Sequence, residues 1–468
     1  MGKLPHHGPR PSTVEAFPLE SCRDGGPHGL EVMALDSTLE QSLKFVYESY
    51  LAAAAGGATD VARHPGLMLE LADLAGIAPP RNLLVVTGSK GKGSVAALAA
   101  AALSGAGARC GLVTSPHLIH QAERIRIDGQ AIRDDELLDV ADGLRTLLGR
   151  YAATLPAGVY LGPSGIYLLF AFSYFERQGI DTAVVEAGRG GLLDESTRFG
   201  HRVAAITTVR LEHLSEIGPR FEDVARHKAG AIPPRGCAVS ARQEPAALGA
   251  LKARAEAVSA RLLVEGEDFE GQSSPPEITV STPRGEGPRT FPFRPAGPYQ
   301  AGNAALALAA AEELLGRRIE TPRWAELQLP GRLQQVGAAP DVIVDGAIVR
   351  ASAEAAVQFA KERGGRPLVA VIGVPSDKDY KGVIAAAGLA ADRIVITRTS
   401  TLRLRYPEDA LEIAGTFAPS EEVPKVPEAL RRASALAGAR GLVLVLGTQS
   451  LVAEALHHYG IDPRHIYR

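Results

Sequence analysis

The chain has 468 residues, 46% hydrophobic and 22% charged, which is enough for two or three domains with buried cores. A formal net charge of −3 sets aside nucleic-acid binding by a basic field, and no stretch of ~18 apolar residues is present to span a bilayer. Three separated cysteines, Cys22, Cys110 and Cys237, give neither a disulfide framework nor a zinc site and fit a reducing, cytoplasmic setting.

Residues 1–35 crowd Pro, Gly and His without an apolar core and read as a disordered leader. Met33 offers an alternative start of translation, because an amphipathic pattern (Leu39, Leu43, Val46, Tyr47, Tyr50, Leu51) follows it. From Leu83 onward β-branched runs alternate with alanine-rich helical patterns. Leu83–Thr87, Thr182–Glu186, Val203–Thr208, Asp341–Asp345, Leu368–Gly373, Arg393–Thr397 and Leu442–Gly447 read as buried parallel strands. Helical patterns fill 93–104, 134–150, 164–178, 299–315, 352–363 and 449–458. The alternation predicts an α/β protein: a large doubly wound domain of P-loop type over 36–328, and a smaller Rossmann-like α/β domain over 332–468. The break falls in the turn chemistry of Leu329-Pro330-Gly331-Arg332. Residues 265–297, with short alternating runs at Ile278–Ser281 and Thr290–Phe293, read as a β-rich excursion.

The segment Val85-Val86-Thr87-Gly88-Ser89-Lys90-Gly91-Lys92-Gly93-Ser94 joins a predicted strand to a predicted helix. Glycines there let backbone N–H groups turn toward phosphate oxygens, and the helix N-terminus adds partial positive charge. Lys92 is placed to meet the outer phosphates of ATP and a first-turn hydroxyl to bind Mg²⁺. The match to the usual pattern is imperfect, since Val86 stands at the first glycine position and Gly93 precedes Ser94. Glu186 and His213 fall at the ends of other predicted strands, where a doubly wound sheet gathers its ligands. A hard cation bridging phosphates needs oxygen donors and tolerates a histidine.

These motifs make the chain resemble the folylpolyglutamate synthase/dihydrofolate synthase group of the Mur ligase superfamily, from about residue 38 to the end. The resemblance rests on Gly88–Ser94, on Thr114-Ser115-Pro116-His117-Leu118 with Glu123-Arg124-Ile125-Arg126, and on Glu186 through Asp194. It continues through His213, Ala225–Ile232 around Lys228, Gln300-Ala-Gly-Asn303, Pro330-Gly331-Arg332-Leu333, Asp345-Gly-Ala and Asp377-Lys378-Asp379. It implies ATP held by Gly88, Ser89, Lys90, Gly91, Lys92, Gly93 and Ser94, with Asn303 on adenine and Arg332 and Asp345 closing over the nucleotide. It also implies one Mg²⁺ on Ser94 and Glu186 and a second on His213, with Lys228 carbamylated to serve as a further ligand. The catalytic set is then Lys92, Glu186, His213 and Lys228. The implied chemistry activates a small-molecule carboxylate as an acyl phosphate, which an amine, glutamate in this family, converts to an amide. A monomer without nucleic-acid or membrane partners is expected.

The departures cluster where substrates are recognised. Asp345-Gly-Ala continues as Ile348-Val349-Arg350 rather than His-Asn-Pro, and Tyr167 stands where the family commonly has glutamate. The usual Leu-Asp-His has become Leu211-Glu212-His213. Ser115, His117, Arg124, Arg350 and Asp377 are the substrate-side candidates; Arg350 could pair with a carboxylate. Asp377-Lys378-Asp379 reads equally as a solvated turn, and Thr448 or Ser450 equally as a helix cap. Three functions stay open: a specialised amide ligase, placed first because of these departures; an ordinary folate-type glutamate ligase; and a non-catalytic nucleotide-binding relative.

Overall fold

In the computed structural model, residues 37–55, 62–188, 190–212, 217–401 and 404–467 are described. Eight strands form the larger sheet, in the order Arg261–Val264, Cys237–Ser240, Val203–Ile206, Asn82–Thr87, Thr182–Glu186, Cys110–Val113, Ile125–Ile127, Gln130–Ala131. The first six run parallel, Ile125–Ile127 turns back antiparallel to them, and Gln130–Ala131 pairs antiparallel with it in turn. The central strand Asn82–Thr87 is buried from Leu83 on, as a strand covered on both faces must be.

One face of this sheet is covered by two alanine-rich helices, Lys92–Gly105 and Gln300–Leu315. Their small side chains let the backbones approach closely. The same core takes in Ile278, Val280 and Phe291 from a three-stranded antiparallel sheet (Glu270–Ser274, Glu277–Ser281, Arg289–Pro292), and the wholly buried Trp324. That sheet is the expected β-rich excursion. It is tied to the helix by a buried Arg289–Glu312 ion pair at 2.7 Å, with Thr282 on both partners. The opposite face packs on Asp134–Ala152 and Pro163–Arg177. Leu39, Leu43 and Val46 join that core, whereas Tyr50 and Leu51 of the same amphipathic pattern are exposed.

The second sheet has six strands, in the order Gln334–Ala338, Asp341–Asp345, Leu442–Gly447, Leu368–Gly373, Arg393–Arg398, Ser420–Lys425, parallel except for the first. The chain end then crosses back: Gln328 N donates to Ile466 O at 2.8 Å, and Ile466 N to Gly129 O at 3.1 Å. Ile466 itself is buried in the larger core. Leu118 and Ile119 make the reciprocal crossing, packing against the core of the second sheet. Among the described residues, no helix is long and apolar enough to cross a membrane.

Candidate active site

The carboxyl end of Asn82–Thr87 opens into the glycine loop, and the loop's shape is enforced. Gly88 has φ of 122°, and a Cβ there would lie 2.0 Å from Thr207 Oγ1, so no other residue fits without displacing the next strand's end. Gly91, at φ 86°, turns the chain into the helix starting at Lys92. Ser89 is spent on architecture: its hydroxyl donates to Arg210 O at 3.0 Å and accepts from Arg210 N at 2.9 Å. Lys92 Nζ donates to Gly88 O at 3.0 Å and Ser89 O at 3.4 Å, folded over the mouth of its own loop. The Lys90 ammonium is held below its ordinary value by partial desolvation; Glu212 opposes this, and repulsion from Lys92, Arg332 and Lys378 adds to it. Four cationic side chains from both sheets therefore bear on one loop, an arrangement that polyanionic phosphate relieves.

Glu186 reaches this loop from the adjacent strand. Its carboxylate lies 3.4 Å from where a Cβ on Gly93 would sit, and its Oε2 accepts from Ser115 N at 2.9 Å. Desolvation raises its pKa, while Lys92, the Ser115 amide, Arg332 and Arg124 pull it down. Ser94 is buried on the first turn of the same helix. Lys228 is fully buried, donating to Gly88 O at 3.0 Å and pairing with Glu212 Oε1 at 2.8 Å. As an ammonium it is a counter-ion to Glu212 and cannot ligate a cation. His213 lies outside the described residues. Among the described residues no three His, Cys or acidic side chains converge on a metal-sized point. A hydroxyl and one carboxylate at a phosphate loop nonetheless fit magnesium, which takes few protein ligands beside phosphate oxygens.

The motif Thr114–Arg126 divides its labour. Glu123 accepts from the backbone N–H groups of Leu118, Ile119 and His120 at 3.2, 2.7 and 2.6 Å, shaping the loop. Arg126 donates to Pro463 O at 2.9 Å and anchors the returning chain end. Arg124 faces the cleft: its Nε donates to His117 Nδ1 at 2.9 Å, and its guanidinium stacks 4.5 Å from the Tyr167 ring centroid. Burial and Arg124 bring the His117 pKa down to about 4, so it is a neutral acceptor. Tyr167 is buried and its hydroxyl donates to Gln121. Arg124 and Tyr167, with Ser115, Ser164, Glu186, Asp194 and Ser196, line a small pocket beside the loop.

Across the cleft stand the groups expected on the nucleotide. Asn303 lies beside the loop, its Oδ1 3.0 Å from the Cβ position of Gly91, and its Nδ2 donates to Gln300 Oε1 at 3.0 Å. Asp345 Oδ2 accepts from Leu333 N at 2.9 Å and from Tyr299 OH at 3.4 Å. Burial raises its pKa to about 6 against the pull of Arg332. The substrate-side candidates beyond it are turned to other tasks. Arg350 is exposed and paired with Glu354 at 2.7 Å. Asp377 pairs with Lys378 at 2.8 Å, and Asp379 caps the helix Tyr380–Gly388 through Gly382 N at 3.0 Å. Thr448 precedes the helix Gln449–His458 but makes no side-chain capping bond. Tyr299 and Gln300 are identified only by their neighbours, whereas at Glu212 the departure from Leu-Asp-His was the available signal.

Residues 331–449 match the Mur ligase, glutamate ligase domain. With the phosphate loop, that defines an ATP-dependent carbon–nitrogen ligase. The dihydrofolate synthase/folylpolyglutamate synthase of Mycobacterium tuberculosis is 32% identical over 361 residues, covering 71% of this chain and 74% of that protein. A probable bifunctional folylpolyglutamate synthase/dihydropteroate synthase of Halobacterium salinarum is 31% identical over 390 residues, covering 79% of this chain but only 46% of that longer protein. The Mycobacterium tuberculosis folylpolyglutamate synthase structure complexed with ADP and AMPPCP superposes with a TM-score of 0.74 at 27% identity, covering 86% of this chain and 96% of that one. The chain belongs to the folylpolyglutamate synthase/dihydrofolate synthase family of the Mur ligase superfamily. These relatives favour the ordinary folate-type ligase over the specialised one placed first from the sequence departures.

Proposed function

We propose that the chain joins glutamate to a folate-type carboxylate at the expense of ATP, through an acyl phosphate. The observation that carries this is the loop Gly88–Ser94 with Lys90, Lys92, Arg332 and Lys378 bearing on it, and Glu186 at its mouth beside a small polar pocket. Phosphate oxygens would take Lys92 from the carbonyls of Gly88 and Ser89, and its charge would offset that developing as the γ-phosphoryl passes to the acceptor carboxylate. ADP leaves; the amine then attacks the acyl carbon, loses a proton, and phosphate departs as the amide forms. Arg124, the guanidinium facing the pocket and held by stacking on Tyr167, orients the acceptor carboxylate. Asn303, Arg332 and Asp345 hold the nucleotide as the second sheet closes and excludes water.

Ser94 and Glu186 would hold one magnesium ion and His213 a second. The ions would supply charge neutralisation at the transferring phosphoryl group. Carbamylation of Lys228 belongs to the same proposal. Desolvation holds its ammonium below the ordinary value, despite Glu212, which favours the free amine that adds carbon dioxide. Native intact-mass measurement showing the mass of one added carbon dioxide, lost in the Lys228→Met variant, tests it.

The functional test is ADP release measured with ATP, glutamate and a dihydropteroate or tetrahydrofolate acceptor. The expected result is release that needs both co-substrates. ATP binding with no amide product on any folate would favour the non-catalytic reading.

A further inference from the structure

The amide of Asn303 is oriented by one neighbour. Gln300 lies one helical turn before it at the start of Gln300–Leu315, has no exposed surface, and accepts from Asn303 Nδ2 at 3.0 Å. Its own Nε2 is buried without a hydrogen-bond partner among the described residues. An unpaired buried donor is destabilising, and an apolar side chain of the same length would avoid the cost, so packing does not account for a glutamine here. What the glutamine does is choose which end of the Asn303 amide faces the loop. An asparagine amide turns over readily, and its two ends have opposite hydrogen-bonding character. With Nδ2 drawn back to Gln300 Oε1, the carbonyl Oδ1 is the end left beside Gly91.

We propose that Gln300 is a positioning residue that sets base selectivity, resting on the reading above that Asn303 meets the nucleotide base. An outward carbonyl accepts from the exocyclic amine of adenine, and the second hydrogen of Nδ2 can reach an adjacent ring nitrogen. This is the bidentate amide–adenine pattern. Guanine presents a carbonyl in the place of that amine and meets Oδ1 acceptor to acceptor. Turning the amide over would reverse the preference, and among the described residues the Gln300 Oε1 acceptor is the hydrogen bond that opposes it.

The test compares kcat/KM for ATP and for GTP in the folded enzyme. Gln300→Met keeps length and removes the acceptor. It is expected to lower the ATP-to-GTP ratio by about tenfold, the change falling on KM for ATP more than on kcat. Gln300→Glu, which keeps an acceptor at the same place, is expected to restore most of the ratio; thermal melting establishes that each variant is folded. A ratio within twofold of the parent in folded Gln300→Met overturns the proposal. Asn303→Ala separates the two levels. If it raises KM for ATP while Gln300→Met leaves the ratio alone, only the positioning role falls. If it leaves KM for ATP unchanged, the base-contact reading falls and the Gln300 role with it.

Discussion

The two sheets each present the carboxyl ends of their strands to the same cleft, yet they are built differently there. At Gly88–Ser94 the backbone is fixed by contact: Gly88 against Thr207, Ser89 stapled to Arg210, and two lysines on the Gly88 carbonyl. The cations around it lack acidic partners of matching number, leaving a demand for phosphate. At Asp345–Arg350 and Asp377–Asp379 most charges are already answered, Arg350 by Glu354 and Asp379 by a helix N-terminus. The difference teaches where binding energy is stored. The glycine-loop side gathers its lysines in a rigid frame, and the facing side adds Arg332 and Lys378 to them.

Four measurements can break or sharpen that contrast. The largest effect is expected at Lys92: Lys92→Ala should lower kcat/KM by on the order of 10³-fold with the fold intact, because a preorganised charge is lost where charge develops. Activity near the parent's would remove phosphate from the loop. Next, Gly88→Ala should cost about 3 kcal/mol of stability, as left-handed strain and the clash with Thr207 combine. An unchanged melting temperature would show that the frame is soft.

Asp345 gives the third effect. Its folded pKa of about 6 lies above the 3.8 of a free aspartate, so the folded state holds a proton the unfolded state has released. Stability from this group is therefore fully present below pH 4 and lost as pH rises through about 6, on the order of 2 kcal/mol. Urea titrations from pH 4 to 8 should show that slope in the parent and not in Asp345→Asn; equal slopes would contradict the burial argument. The smallest effect is expected at Arg350. Arg350→Ala removes an exposed i,i+4 pair and should shift stability by under about 0.5 kcal/mol. A large rise in KM for glutamate would instead give this arginine the amino-acid carboxylate and overturn the contrast.

The sequence is most legible where local physics decides. Thr182–Glu186, Asp341–Asp345, Leu368–Gly373 and Leu442–Gly447 match their predicted ranges because strands buried on both faces are continuous apolar runs. Ser420–Lys425 was illegible: an edge strand carrying Glu421, Glu422 and Pro424 has no apolar pattern to show. The return of Pro463–Tyr467 onto the larger sheet could not be read either, since it depends on Arg126 and Gly129 some 330 residues away. In the site, the glycine loop and Glu186 were readable as motif and strand end. The pairing of Lys228 with Glu212 and of Asn303 with Gln300 depends on which side chains folding brings together. The departures at Tyr167 and Ile348–Arg350 were visible but overweighted. Tyr167 still lines the cavity with Arg124, and the second sheet still carries the ligase domain.

The central claim is that the field stored at Gly88–Ser94 drives glutamate onto a folate carboxylate. Mass spectrometry of a reaction containing ATP, glutamate and a dihydropteroate or tetrahydrofolate acceptor tests it most directly, with ADP counted in parallel. The account predicts an acceptor heavier by one glutamyl residue, with one ADP per amide bond. ADP without a glutamylated product, or an amide formed only from an unrelated acid or amine, would contradict it.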